Sequence, residues 1–427
     1  MQAFRGLLVL IAAATLVSTA WAQEEWPDLT GRSVDVTGVW TGTSQENFEA
    51  VLERFNELTG ATAVYSAAGT DIGTVVGTQL EGGQPPDVAM LPQPGLMVEF
   101  ANRGALRPIE GIAGDLVDAH YATVWRELGT VDGELYGVWF KAANKSLVWY
   151  NADLFEQAGV APAETWDDMM AAADTFRDFG ITPFSVGGGS AWTLTDWFEN
   201  IYLRSAGPEL YDQLTRHEIP WTHESVQRAL GLFAEIVGRP EYLAGGVQGT
   251  LEANHPSGIV RPFVEPPQAA MVYGADFSAG AIMNETNAVL GETARFFPFP
   301  SIDGSPPSVV GGGDVAVVFT DNEAAHALIR FLATPEAAEV WAPRGGYTSP
   351  NQAVDPSAYP SDVVRQSAQA LQGAAVFRFD LSDLQPSAFG STAGQGLFGL
   401  LQEFVRNPDV DATSRALEQA ASQAFGN

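Results

Sequence analysis

The chain has 427 residues and none of them is cysteine, so disulfides, cysteine-ligated zinc, iron–sulfur clusters and thiol catalysis are excluded. Lysine is almost absent as well, since it occurs only as Lys141 and Lys145. Asp and Glu total 52 against 21 Lys and Arg, which gives a formal net charge of −31. A field of that sign repels phosphate backbones and anionic lipids, so the sequence argues against nucleic acid and membrane surfaces as partners.

Motifs that would mark a hydrolase or a metalloenzyme are also missing. There is no phosphate-binding loop, no Gly-x-Ser-x-Gly elbow and no Ser-x-x-Lys motif. The five histidines are scattered without the spacing of a helical zinc site, so we predict no metal and no cofactor. The two carboxylates of a glycoside hydrolase need only lie about 5 to 10 Å apart in space, so they leave no recognisable spacing. A secreted glycoside hydrolase therefore remains an alternative function.

The N-terminus has the layout of a secretory signal peptide. Arg5 precedes an uncharged run over 6–17, and Ala20-Trp21-Ala22 supplies the small residues of a cleavage site. The run is shorter than the about 20 apolar residues that a membrane helix needs. We predict a signal peptide at 1–22 that is cleaved after Ala22. No cysteine stands at the cleavage point to carry a lipid, so the mature protein is expected free in the periplasm or outside the cell.

Strands and helices alternate at the start of the mature chain. The predicted elements, in order, are a strand at 33–40, a helix that ends at Gly60, a strand at 62–65, a helix at 72–80 and a strand at 87–91. Alternation of this kind predicts an α/β fold with a parallel sheet. Ligands of such sheets bind beyond the carboxyl ends of the strands, where the loops beginning at Trp40 and Pro92 lie.

Later segments carry mixed signals. Thr165 and Asp168 form a capping box that predicts a helix over 166–179. Less regular backbone is expected in loops over 238–267, in an irregular stretch at 296–307, and in a strand at 309–319 that is broken by Gly311, Gly312 and Gly313. At 427 residues, the chain is long enough for two or three domains.

Aromatic residues give the positive functional signal. Trp40, Trp192, Trp197 and Tyr347 fall near glycines, turns or strand ends rather than at regular core spacing. Indole rings stack on the apolar faces of pyranose rings, while carboxylates such as Asp196 accept hydrogen bonds from sugar hydroxyls. We therefore predict a sugar-binding cleft, although burial in a core is the alternative for any single tryptophan.

The two lysines and one aspartate are ambiguous. Lys141 could donate to a sugar hydroxyl or to an acidic ligand group, or be a solvated surface charge, and the solvated role is favoured for Lys145. Asp314 follows three glycines, which would let backbone approach a ligand closely and let the carboxylate project from a strand. A bulge with Asp314 as a turn residue is the alternative.

Several segments resemble the extracellular solute-binding proteins of ABC transporters, specifically the maltose-binding-protein-like sugar-binding family. The segments that carry this resemblance are VWTGTSQENFEAVLERFNELTG at 39–60, GGQPPDVAMLPQPG at 82–95, VDGELYGVWF at 131–140, SLVWYNADLFEQAGV at 146–160, QAAMVYG at 268–274, GGGDVAVVF at 311–319 and ALIRFLATPEAAEVW at 327–341. PQPG, FKAANKSLVWYN, TDWFENIYLRSAGPELYD and HEIPW look most like the branch that binds α-glucosides and related oligosaccharides.

The resemblance implies a type II periplasmic binding protein fold: two α/β lobes joined by three crossover segments, with the ligand in the cleft between them. The lobes implied are 30–141 with 314–359, and 144–310 with 361–427. Such a protein is a monomeric, non-enzymatic subunit that closes on a sugar and delivers it to a membrane permease, whose transport is driven by a separate ATPase. A chemoreceptor-coupled binding protein would use the same ligand site.

Nine residues are expected to contact the sugar. They are Trp40, Thr41 and Gln93 in the first lobe, Lys141 at a crossover, Trp192, Asp196 and Trp197 in the second lobe, and Asp314 and Tyr347 in returning segments. Trp139 and Phe277 are secondary candidates.

Overall fold

A computed structural model describes residues 25–372 and 374–426; the predicted signal peptide at 1–22 lies outside them. Twelve strands occur in this part of the chain: β1 Ser33–Gly38, β2 Thr62–Ala67, β3 Val88–Leu91, β4 Thr130–Val131, β5 Glu134–Leu135, β6 Gly137–Asn144, β7 Leu147–Asn151, β8 Phe184–Ser185, β9 Met271–Tyr273, β10 Ala294–Pro298, β11 Ser308–Val318 and β12 Val376–Phe379.

The α-helices of the described residues are α1 Gly42–Thr59, α2 Ile72–Glu81, α3 Pro94–Asn102, α4 Glu110–His120, α5 Thr123–Leu128, α6 Ala152–Ala158, α7 Trp166–Asp178, α8 Trp192–Ala206, α9 Pro208–Thr215, α10 Glu224–Val237, α11 Gly246–Glu252, α12 His255–Val260, α13 Ser278–Glu285, α14 Glu323–Leu332, α15 Pro335–Trp341, α16 Asp362–Gln372, α17 Leu381–Leu384, α18 Ser387–Gly390, α19 Gly396–Arg406 and α20 Val410–Phe425. None of them is both long enough and apolar enough to cross a bilayer.

The strands form two main sheets with helices packed on them. The first has the order β12-β11-β3-β1-β2, with β6 also paired to β11, and the second has the order β10-β7-β9-β8. In the first sheet β1 runs parallel to β2 and β3, as the alternation of strands and helices predicts. Each sheet has its own hydrophobic core. The chain thus forms two α/β lobes.

Local signals in the sequence explain the predicted helices. Helix α1 buries Phe48, Val51 and Phe55 on one face and ends at Gly60, whose φ of 73° suits a residue without a side chain. At the start of α7, the Thr165 hydroxyl accepts from the Asp168 N–H at 3.2 Å, and the Asp168 carboxylate accepts from the Thr165 N–H at 3.1 Å. The predicted capping box is confirmed.

Strand β11 differs from its prediction because it is continuous. Gly311, Gly312 and Gly313 pair in register with β6, from Asn144 to Ala142. A side chain at Gly311 would collide with the Phe377 ring, and one at Gly312 would meet the Lys145 side chain at 2.6 Å. At Gly313 it would lie 2.5 Å from the Lys141 carbonyl oxygen and 3.1 Å from the Trp139 ring. The glycines therefore make room for side chains of the protein itself, and they do not break the strand.

Two other segments are more regular than expected. The predicted loops at 238–267 contain helices α11 and α12. The first turn of α12 is stabilised by the Asn254 side chain, which accepts from the Ser257 N–H at 3.0 Å. The stretch at 296–307 begins inside β10, which pairs antiparallel with β7. Beyond Pro298 this stretch is irregular as predicted, whereas at 238–267 the Gly and Pro content misled the prediction, because capping outweighs it.

The long strands β6 and β11 lie side by side where the lobes meet. The first part of β11 pairs with β12, and its last part pairs with β3. The implied boundaries at 141/144 and 310/314 fall within these two strands, and the third is implied near 359/361. The boundaries themselves stay predictions.

Candidate functional site

Lys141 lies between aromatic rings that come from both lobes. Its ammonium nitrogen is 5.9 Å from the centre of the Trp40 ring, 5.1 Å from that of Trp341 and 5.0 Å from that of Phe277. A cation at this distance from an aromatic ring is attracted by the ring quadrupole. The residue is only 5% exposed, so it is not the solvated surface charge that was the alternative.

A β-bulge directs Lys141 toward these rings. In the register of β6 and β11, Asp314 is opposite Lys141, but the next residue, Val315, is opposite Trp139. Phe140 is therefore the extra residue of β6. A bulge of this kind re-aims the side chains beside it. It explains why Lys141 reaches Trp40 and Trp341, the two tryptophans that the Phe140 ring also contacts.

No carboxylate of the described residues lies within 4.0 Å of the Lys141 ammonium. Burial lowers the pKa of Lys141, and the charges of Asp314 and Asp276 oppose that shift. Burial likewise raises the pKa of Asp314, against the effect of Lys141 and of a hydrogen bond with Trp40. The ammonium hydrogens are thus available to oxygen atoms of a ligand.

Lys145 is held very differently, although it lies four residues away. Its ammonium is 3.2 Å from Asp196 and 3.9 Å from Asp383, and it forms a short ion pair with Asp380. Burial disfavours its charge, but these three carboxylates raise the pKa of Lys145 well above the ordinary value. The lysine for which a solvated role was favoured is therefore 8% exposed and fully paired.

The carboxylates around Lys145 outnumber its single charge. Glu199 adds a fourth; it accepts from the backbone N–H groups of Leu381 at 2.8 Å and Ser382 at 3.0 Å. Burial raises the pKa values of Asp196, Glu199 and Asp383 well above the ordinary range. One oxygen of Asp196 is buried without a hydrogen-bond partner. The raised pKa values favour protonation of these three carboxyls, whereas the pKa of Asp380 is lowered.

The second lobe contributes an aromatic wall. The Trp192 ring lies 4.8 Å from the His255 ring and 6.0 Å from the Phe277 ring, and the Lys145 ammonium is 5.4 Å from the centre of Trp192. Burial, together with the charges of Lys141 and Lys145, lowers the pKa of His255 to about 3. The imidazole is therefore neutral at pH 7 and can donate or accept a hydrogen bond.

The first lobe contributes the opposite wall. Trp40 packs against Trp341 at 4.9 Å with the rings at 85°, and its backbone N–H donates to the Tyr65 hydroxyl at 2.9 Å. Gln93 lies close enough to Asp383 of the second lobe to lower the pKa of that carboxyl by a hydrogen bond. The two walls thus meet around the lysines.

Six of the predicted contact residues are brought together here, along with one secondary candidate. They are Trp40, Gln93, Lys141, Trp192, Asp196 and Asp314, with Phe277 as the secondary candidate. Thr41 adjoins them as the exposed residue before α1.

The other three aromatic candidates are packed into cores, and of these Tyr347 lies directly behind the site residue Trp341. Trp197 is 1% exposed in the core of the second lobe, where it packs against Tyr273 and Phe299. Tyr347 is stacked on Trp341, and its hydroxyl donates to the Phe140 carbonyl at 2.7 Å. Trp139 packs against Trp125 and Phe379. Their role as contacts stays a prediction that the packing does not favour.

Sequence reasoning missed five residues of this group. They are Lys145, His255, Asp276, Trp341 and Asp383. Only Lys145 had a visible signal, as one of two lysines. Trp341 lies 200 residues after Lys141 in the chain and Asp383 lies 242 after it, and no local pattern places them beside it.

Comparison with known proteins agrees with this architecture. The model of the bacterial extracellular solute-binding protein family matches residues 41–339. The chain is 36% identical to the osmoprotective compounds-binding protein GgtB of Synechocystis over 84% of this chain and 86% of the relative. It is 33% identical to the alpha-glucosides-binding periplasmic protein AglE of Rhizobium meliloti over 86% and 82%.

Solved structures show the same fold. A chitin oligosaccharide binding protein superimposes with a TM-score of 0.79 at 18% identity, over 92% of this chain and 99% of the other. With the family model matching well over half of the residues, the chain belongs to the bacterial extracellular solute-binding proteins.

Proposed function

We propose that the protein is the substrate-binding subunit of an ABC importer and that it captures a sugar, an α-glucoside or a related oligosaccharide. The observation that carries the proposal is the meeting of aromatic walls from both lobes around Lys141. Aromatic faces suit the apolar faces of pyranose rings, and the buried lysine and carboxylates suit their hydroxyls. The relatives named for α-glucosides and for osmoprotective compounds support the same substrate class.

Lobe closure provides the mechanism. A sugar that touches both Trp40 and Trp192 makes its full set of contacts only when the lobes are closed, so it shifts the population toward the closed form. No bond of the ligand is made or broken. The closed form is then recognised by a membrane permease, with transport driven by a separate ATPase. We propose that the mature protein is monomeric and works in the periplasm after removal of residues 1–22.

A thermal-shift screen tests this function. Protein lacking residues 1–22 is heated with trehalose, maltose, sucrose, glucosylglycerol and monosaccharides. A ligand at a hundred times its dissociation constant adds about 2.7 kcal/mol to the stability of the folded state. We expect a selective shift with a glycoside that is recovered unchanged afterwards. The absence of a shift with every sugar would contradict the proposal, and release of reducing sugar would favour the hydrolase.

A further inference from the structure

Only one of the two lysines of the cleft is ion-paired with carboxylates of the protein. Lys145 is shared by Asp196, Asp380 and Asp383. Lys141 is the cation that a ligand could reach, but the charges of Asp314 and Asp276 already act on it. A ligand carboxylate beside Lys141 would be a third negative charge around one buried positive charge.

Carboxylates from both lobes lie beside the two lysines of the cleft. Asp314 is on β11, next to Lys141, and Asp383 is on α17 of the second lobe. The charge of Asp314 acts on Asp383. Like charges in a site from which water is largely excluded repel strongly, and an anionic ligand would also lose its own hydration. A carboxylated sugar incurs both free-energy costs, and its neutral counterpart incurs neither.

Cationic solutes are opposed by a different feature. The cluster of Trp40, Trp341 and Phe277 is the kind of aromatic cage that recognises quaternary ammonium groups. Here the Lys141 ammonium occupies that position, at 5.0 to 5.9 Å from the ring centres. A quaternary ammonium solute would have to displace Lys141 and would meet its positive charge.

We infer that the cleft selects uncharged polyhydroxy ligands and rejects both carboxylated glycosides and quaternary ammonium solutes, with Asp314 and Lys141 as the residues that determine this selectivity. The inference rests on the proposed sugar-binding function. Asp314 supplies the charge that opposes an anion, and Lys141 offers its hydrogens to hydroxyl oxygens while it fills the aromatic cage.

Matched ligands test the inference by isothermal titration. Glucosylglycerol and glucosylglycerate differ by a carboxylate in place of a hydroxymethyl group, and maltitol and maltobionate form a second pair that differs in the same way. We expect each neutral member that binds to do so about 50-fold or more tightly than its acid, and we expect no binding of glycine betaine. These measurements need only the wild-type protein.

The variant Asp314→Asn identifies the residue responsible. Removing this charge should reduce the preference for the neutral ligand about tenfold or more, even if both affinities fall. Asp71→Asn, which changes an exposed residue at the start of α2, should leave the preference unchanged.

Three results would overturn the inference. They are an acid that binds wild-type protein as tightly as its neutral partner, binding of glycine betaine, and an unchanged preference in folded Asp314→Asn protein. The first of these results would overturn the inference but leave the proposed sugar-binding function standing. Failure of every neutral sugar to bind would instead refute the proposed function, and the inference with it.

Discussion

The two lysines show how strongly the surroundings decide the role of a residue type. Both are buried, and they lie four residues apart in the chain. Lys145 forms ion pairs with three carboxylates, whereas Lys141 has aromatic rings around it and no carboxylate within 4.0 Å among the described residues. A buried ion pair that loses one partner leaves an uncompensated charge. Lys145 is therefore a structural residue, and Lys141 is suited to a ligand.

Replacing each lysine by methionine should separate these roles. We expect Lys145→Met to lower the free energy of unfolding at pH 7 by about 3 to 5 kcal/mol, because Asp196, Asp380 and Asp383 lose their cation. Lys141→Met, the matched control, should lose less than half as much stability but most of its sugar affinity. Urea unfolding and isothermal titration measure the two quantities.

The loss of unfolding free energy caused by Lys145→Met should grow as the pH rises. Burial already raises the pKa values of Asp196 and Asp383 against the opposing charge of Lys145, which also helps to lower the pKa of Asp380, so removing the lysine raises all three folded pKa values. Such groups stabilise the folded state at low pH, and the stabilisation disappears as pH rises. The variant should therefore be closer to wild type at pH 5 than at pH 8. An equal loss at both values would contradict this account of the cluster.

Among the elements, β11 requires glycine at several positions because other side chains occupy the space beside them. Gly312 lies on a strand where an added side-chain carbon would be 2.6 Å from Lys145. We expect Gly312→Ala to destabilise the protein by about 1 to 3 kcal/mol, since a crowded core must shift to accept it. Gly77→Ala is the control, because nothing lies within 4 Å of the added carbon in α2 and alanine favours a helix. Equal thermal unfolding of the two variants would show that β11 relaxes freely.

The elements that the sequence predicted well are those with local signals. The apolar spacing of α1 and the capping box of α7 depend on residues within a few positions of one another. The continuous β11 could not be foreseen, because its glycines fit side chains from Trp139, Lys145 and Phe377. Six residues of the candidate site were predicted, and of these only Trp40 and Trp192 are aromatic. The remainder, such as Trp341 and Asp383, reaches the cleft through tertiary packing that leaves no local pattern.

For the whole molecule, the lobes also contact each other directly at the rim of the cleft. Glu99 of α3 in the first lobe accepts from the backbone N–H of Ser387 at 2.8 Å and from its hydroxyl at 2.9 Å. Close by, a side chain at Gly95 would collide with the Gln385 carbonyl. Because these groups come from different lobes, we expect them to separate when the lobes open. The rim should therefore stabilise the closed form without touching the sugar.

Glu99→Ala should weaken sugar binding through this equilibrium alone. A hydrogen-bonded charge that is half-exposed contributes about 1 kcal/mol, which raises the apparent dissociation constant by up to about fivefold, since that constant is divided by the population of the closed form. Small-angle scattering of the unliganded variant should show a larger radius of gyration than wild type, while saturating sugar restores the same compact form in both. Glu53→Ala, at an exposed position on α1, should change neither quantity. Unchanged affinity in both Glu99→Ala and Ser387→Ala would mean that closure depends on the ligand and the crossover strands, with no contribution from the rim.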